Sequence, residues 1–239
     1  MAVRKELTLV VTDSGLGGLN VAAKVRAALE RYRYAEKTNV IYFNALPEKG
    51  RGYNSMTSLS EKVCAFDSVL NGIVRHCSPD IILIACNTLS VVYEHTAFFN
   101  KPATEVMGIV DLGVNMILKS MQSDSKAVIL GTPTTIAGEV HKKLLMKNGV
   151  NEGNIIAQPC RDLESEIQNN ARSERVREMI RHYLTEAVPE PDSRGHYVFA
   201  LCCTHYEYSL PVFEECIKER IINYTIVNPN DMMVEELNR

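Results

Sequence analysis

Two apolar runs in this chain end on a thiol. Ile81-Ile82-Leu83-Ile84-Ala85 runs into Cys86-Asn87-Thr88, and Val198-Phe199-Ala200-Leu201-Cys202 runs into Cys203-Thr204-His205. Continuous apolarity over about 4 to 8 residues marks a strand covered on both faces, and in open α/β sheets ligands sit just beyond the carboxyl ends of such strands. Each run therefore delivers a cysteine, a small polar residue and, in the second case, an ionisable ring to the place where chemistry is usual. A thiol serves as acid, base or nucleophile, and two in matching contexts are expected to face each other across one substrate.

A bland reading stands beside this one. A single strand-end cysteine is more often a small core residue than a reactive group, and it is the second motif that shifts the balance toward chemistry. Cys202 is expected to be structural, because strand alternation turns it to the face opposite Cys203. Cys64, Cys77, Cys160 and Cys216 read as packing or surface residues, and His76, His95, His141, His182 and His196 as surface or satisfied structural histidines.

The elements that must position these groups alternate strand and helix. Leu7 to Thr12 is β-rich and stops at Asp13-Ser14-Gly15-Leu16-Gly17-Gly18, ahead of a helical pattern through Val21, Val25 and Leu29. Glycines there let the backbone approach a ligand, and the helix start favours an anion such as a carboxylate. The third glycine falls too early for a dinucleotide fingerprint, with Asn20 in its expected place, so nucleotide binding is rejected. Asp13 also fits a simple capping role. A strand at 39–43 leads into a loop over 44–54, where Gly50 and Gly52 suggest a mobile lid. Helices are predicted over 55–76 and 88–99, a strand at 106–110 after a break near 96–104, and a strand at 127–130 that enters Gly131-Thr132-Pro133-Thr134-Thr135 before a helix over 136–146. Further segments are a strand at 154–157, helices at 163–168 and 173–187, a helix at 210–220, a strand at 225–227 and a helical turn from 231. The second half repeats the first, which predicts two similar α/β lobes with mostly parallel sheets and strand ends at one cleft.

Composition bounds the partners. At 239 residues, 46% hydrophobic and with a net charge of -3, the chain carries enough apolar residue for a sizeable core and no Lys/Arg block for nucleic acid or an anionic membrane. A small-molecule partner is expected. The amino terminus shows neither a long apolar segment nor a cleavage site, and seven cysteines without regular spacing fit a reducing compartment, so a cytoplasmic location is expected.

The set DSGLGGL at 13–19, ACNT at 85–88, GTPTT at 131–135 and CCTHY at 202–206 resembles glutamate racemase, within the aspartate/glutamate racemase superfamily. The order and spacing fit along nearly the whole chain. The resemblance implies a cofactor-independent amino-acid racemase with two α/β domains, the active site in the interdomain cleft, and a C-terminal segment that returns to the first domain. The boundaries expected are 1–97 with 210–239, and 98–209. It further implies that Cys86 and Cys203 are the acid/base pair, Asp13 assisting the first and His205 the second. Asp13, Ser14, Tyr53, Asn54, Asn87, Thr88, Thr132, Thr135 and Thr204 would hold the substrate. No metal and no PLP lysine motif enters this reading, and the sequence leaves a homodimer open.

Substrate choice is where the chain departs from the family. The Gly-Asp after the second strand is replaced by Asn44-Ala45, and the Pro-Tyr-Gly further along by Gly52-Tyr53-Asn54. The family's glutamate after a Cys-Pro run falls among Glu164, Glu166 and Gln168. Glutamate is the leading substrate, with supply of peptidoglycan precursors as the implied pathway. Aspartate or another polar amino acid, and a noncatalytic amino-acid-binding relative, are the alternatives; a decarboxylase or other isomerase suits two thiols less well.

Overall fold

The computed structural model describes residues 4–32, 35–47 and 52–236. It is an α/β structure with two four-stranded sheets, ordered β2-β1-β3-β4 and β6-β5-β7-β8, and every pairing is parallel. The strands of the first are β1 (Arg4–Asp13), β2 (Ala35–Asn44), β3 (Ile81–Ile84) and β4 (Glu105–Gly108); those of the second are β5 (Lys126–Gly131), β6 (Ile155–Pro159), β7 (Tyr197–Cys202) and β8 (Tyr224–Val227). The chain divides into two compact units, one running to Ile109 and taking up the segment from Asn230, the other spanning Val110–Pro229.

These units differ from the expected boundaries for a physical reason. β4 hydrogen-bonds to β3, so it completes the first sheet, and β8 hydrogen-bonds to β7, so 210–229 stays with the second. The division falls at 109/110 and 229/230 rather than at 97/98 and 209/210. Strand pairing, which local composition does not report, decides it.

Within each unit the central strands carry the core. Leu9, Val10, Val11, Ile82, Leu83 and Ile84 are buried in the first, and all six residues of β7 in the second. Helices cover them. In the first unit α1 (Leu19–Tyr32) buries Val21, Val25 and Leu29, and α2 (Leu59–Cys77) buries Phe66, Leu70 and Ile73. Ser58 opens α2 by accepting the Glu61 N–H at 3.1 Å, and Ser173 opens a later helix by accepting from Val176 at 3.2 Å.

Local details depart from the sequence reading at three places. The helix expected over 88–99 is two, α3 (Asn87–Tyr93) and α4 (Ala97–Asn100), because Thr96 donates to the Tyr93 carbonyl and accepts from the Phe99 N–H, closing one helix and capping the next. The strand expected at 106–110 ends at Gly108, and α5 (Ile109–Ser120) begins at once, with Ile109, Val110, Val114 and Ile117 buried at helical spacing. The helix expected over 136–146 is broken by Glu139 at φ 56°, leaving α6 (Pro133–Ala137) and α7 (Val140–Lys147). The remaining helices are α8 (Leu163–Asn170), α9 (Glu174–Ala187), α10 (Leu210–Lys218) and α11 (Pro229–Glu236).

Two histidines have structural roles. The His196 ring lies between the hydroxyls of Ser125 at 2.7 Å and Thr225 at 3.0 Å, tying β8 to the turn before β5. His141 is buried, and burial pushes its pKa down to about 4, so it is neutral. None of the seven cysteines forms a disulfide.

Candidate functional site

In a parallel sheet ordered 2-1-3-4 the strand order reverses between the first and third strands, and the crevice for a ligand opens beyond the carboxyl ends of those two. In the first unit those ends are Asp13-Ser14 on β1 and Cys86 after β3. In the second they are Gly131-Thr132 on β5 and Cys203 after β7. The two thiols thus occupy corresponding positions in two units of one topology.

In the first unit Cys86 stands at the N-cap of α3, with its backbone carbonyl accepting from the Ser90 N–H at 2.9 Å. Its thiol lies 3.2 Å from the Ser14 hydroxyl. Burial, then the neighbouring Asp13 carboxylate, push the thiol up to about 12, while the Ser14 hydroxyl and the amides of Leu89 and Ser14 pull it down. An anionic Asp13 therefore opposes the thiolate electrostatically. Its carboxylate accepts the Gly15 N–H at 2.9 Å in an Asx turn and is itself fully buried. A Cβ at Gly18 would stand 2.7 Å from that of Asp13, so only glycine fits there. Tyr42 donates to the Gly15 carbonyl, and Asp13 accepts the Ala45 N–H at 2.7 Å through its backbone, which ties the loop to the end of β2.

Asn87 and Thr88, on the first turn of α3, are buried. Tyr53 and Asn54 sit in a short 3₁₀ turn, Tyr53–Ser55. Tyr53 is buried in the same apolar cluster as Cys86, edge-on to Phe66 with ring centroids 6.3 Å apart, and its hydroxyl has no hydrogen-bond partner among the described residues. Burial and the nearby Cys86 raise its pKa, so it stays a neutral phenol. Of the lid expected at 44–54, Gly50 lies outside the described residues. Asn44 caps its own turn, accepting from the Leu46 N–H at 3.0 Å.

In the second unit Thr132 caps α6, accepting from the Thr135 N–H at 3.3 Å and sharing a 3.0 Å contact between the two hydroxyls. Cys203 and Thr204 are buried at the start of a 3₁₀ segment, Thr204–Ser209. The thiol lies 3.9 Å from Nδ1 of His205, and Nε2 of that ring lies 3.1 Å from Oε1 of Gln168 on α8. Of the three positions left open for an acidic partner, the one against the histidine carries an amide. Glu164, four residues earlier, is half-buried, and its charge opposes ionisation of Cys160 and Tyr206. Spacing alone does not separate Glu164 from Gln168, since both lie on one side of α8; the position of His205 does. Cys202 and Cys160 are buried thiols pushed up to about 12 by desolvation, which fits the packing role expected of them.

Among the described residues, no group of three or more His, Cys, Asp or Glu is arranged to hold a metal ion, and no helix is long and apolar enough to cross a membrane.

No protein-family model matches the sequence. Curated relatives span nearly all of it: a glutamate racemase of Aquifex pyrophilus is 25% identical over 224 residues, 93% of this chain and 79% of that protein. One of Clostridium perfringens is 26% identical over 228 residues, 95% of this chain and 80% of that protein. Among solved structures, the glutamate racemase of Francisella tularensis in complex with D-glutamate superposes with a TM-score of 0.76 at 19% identity, over 99% of this chain and 80% of the other. That last likeness carries the fold, and the two sequence matches bear out the resemblance read from the four motifs.

Proposed function

We propose, on the premise that the chain is a relative of the glutamate racemases, that it is an amino-acid racemase in which Cys86 and Cys203 exchange the α-proton. Inverting a carbon centre needs a base to take the proton from one face and an acid to supply one to the other. Two thiols, one for each face of the carbon, serve both directions. One thiolate takes the α-proton as the C–H bond breaks, and the other thiol gives up its proton to form the new C–H bond. What carries the reading is the correspondence between the units, each of which has a cysteine just past the end of its third strand, Cys86 beside the Ser14 hydroxyl and Cys203 beside the His205 ring.

Substrate binding would draw the Cys86 thiol toward ionisation. A pKa near 12 leaves the thiol protonated at neutral pH. The α-ammonium of an amino acid beside Asp13 offsets the carboxylate that holds the thiol up, and a nearby cation favours the thiolate. Ser14, Tyr53, Asn54, Asn87, Thr88, Thr132, Thr135 and Thr204 are the polar groups assigned to hold the substrate. Glutamate is the substrate proposed, by kinship with the Aquifex and Clostridium proteins. Replacement of the Gly-Asp and Pro-Tyr-Gly elements by Asn44-Ala45 and Gly52-Tyr53-Asn54 keeps aspartate or another polar amino acid as the second reading.

The test is incubation of the protein with each enantiomer of glutamate and aspartate in D2O, followed by NMR and optical rotation. Deuterium at the α-carbon with loss of rotation is expected for glutamate. Exchange with aspartate alone would move the substrate assignment. Measurable binding with no exchange of any amino acid would make the chain a binding protein.

A further inference from the structure

We propose that Gln168 is a positioning residue that holds the proton of His205 on Nε2, leaving Nδ1 as a bare acceptor toward Cys203. The proposal takes His205 as part of the site put forward above. The ring sits between two partners in a line: Cys203 Sγ at 3.9 Å from Nδ1 and Gln168 Oε1 at 3.1 Å from Nε2. The amide oxygen placed against Nε2 accepts and cannot donate, and we therefore put hydrogen on that ring nitrogen. The other nitrogen of a neutral imidazole is then unprotonated, and it is the one facing the thiol.

The choice of amide over carboxylate has a consequence. A carboxylate at this position would favour the doubly protonated ring, which has no lone pair to offer Cys203. Gln168 orients the ring with the same acceptor geometry and adds no charge. The imidazole can then take the thiol proton, breaking S–H and forming Nδ1–H, and return it. His205 is buried in the 3₁₀ segment after β7, whereas Gln168 belongs to α8, so the hydrogen bond also fixes the ring's direction across two elements. The resemblance leaves the family's glutamate open among Glu164, Glu166 and Gln168, and of these it is Gln168 that meets His205.

The experiment is 15N NMR of the histidine rings in the full-length chain at pH 7.5, with the His205 signals assigned by His205→Asn. In the parent protein Nε2 is expected to carry hydrogen and Nδ1 to be bare. Gln168→Leu should mix the two tautomers, and Gln168→Glu, which keeps the acceptor but adds a charge, should hold hydrogen on Nε2 and add a second on Nδ1. If racemisation is observed, Gln168→Leu should also lower kcat by about tenfold or more with KM little changed. Hydrogen on Nδ1 in the parent protein, or an unchanged tautomer in Gln168→Leu, overturns the proposal. Absence of α-hydrogen exchange in the parent would instead defeat the racemase reading, and the ring signals would still decide the role of Gln168.

Discussion

The Ser14 hydroxyl lies 3.2 Å from the Cys86 thiol, and it is the leading contact that draws the thiol toward ionisation against burial and the Asp13 charge. The two residues come from the ends of β1 and β3, neighbours in the sheet but 72 positions apart in the chain. Ser14→Ala should raise the thiol pKa further and slow alkylation of Cys86 by iodoacetamide at pH 9 by about tenfold or more, since a hydrogen bond to a charged group contributes about 1.5 kcal/mol or more. Mass spectrometry of the labelled peptide reads the rate. An unchanged rate would mean that the hydroxyl does not hydrogen-bond the thiolate.

Cys86→Ser and Cys203→Ser should each abolish racemisation, because a serine hydroxyl is a far weaker acid than a thiol and the return proton has no other assigned donor. The measurement is α-hydrogen exchange and optical rotation with purified, folded variants. Full activity in either one sinks the two-thiol mechanism.

Stability should fall above about pH 9. Burial raises Cys86, Cys160 and Cys202 from 9.0 to about 12 in the folded chain. A raised folded pKa contributes stability that is fully present below the unfolded value and is lost as pH rises toward the folded one, here between about 9 and 12. Each such thiol steepens the loss by up to about 1.4 kcal/mol per pH unit. Urea midpoints at pH 8, 9 and 10 should decline accordingly, and Cys202→Ala should flatten the decline even though it leaves a small cavity.

Gly18→Ala should destabilise the first unit by about 1–3 kcal/mol, the range for forcing extra atoms into a packed site. The added Cβ would meet the Asp13 side chain at 2.7 Å, and fully buried Asp13 has no room to retreat. Chemical denaturation measures the loss, and racemisation should fall with it as Asp13 is displaced. Gly72→Ala, with open space around the new methyl group, is the control and should be neutral or slightly stabilising.

The order of elements and the chemical groups were legible in the sequence. Unbroken apolar runs at 81–85 and 198–202 report strands buried on both faces, because no water-facing position interrupts them, and the residues that follow are those at the crevice. Asp13, Ser14, Cys86, Thr132 and Cys203 were placed at strand ends by that pattern alone. Tertiary structure decided what such patterns leave undetermined. Pairing of β4 with β3 and of β8 with β7 moved both unit boundaries, since hydrogen bonding between distant segments has no local signature. Packing closed Gly18 against Asp13, enclosed Tyr53 in the Cys86 cluster and broke two helices at Thr96 and Glu139. It also set Gln168, rather than either glutamate of α8, against His205: residues four apart on a helix look alike in sequence until a partner from another element approaches one of them.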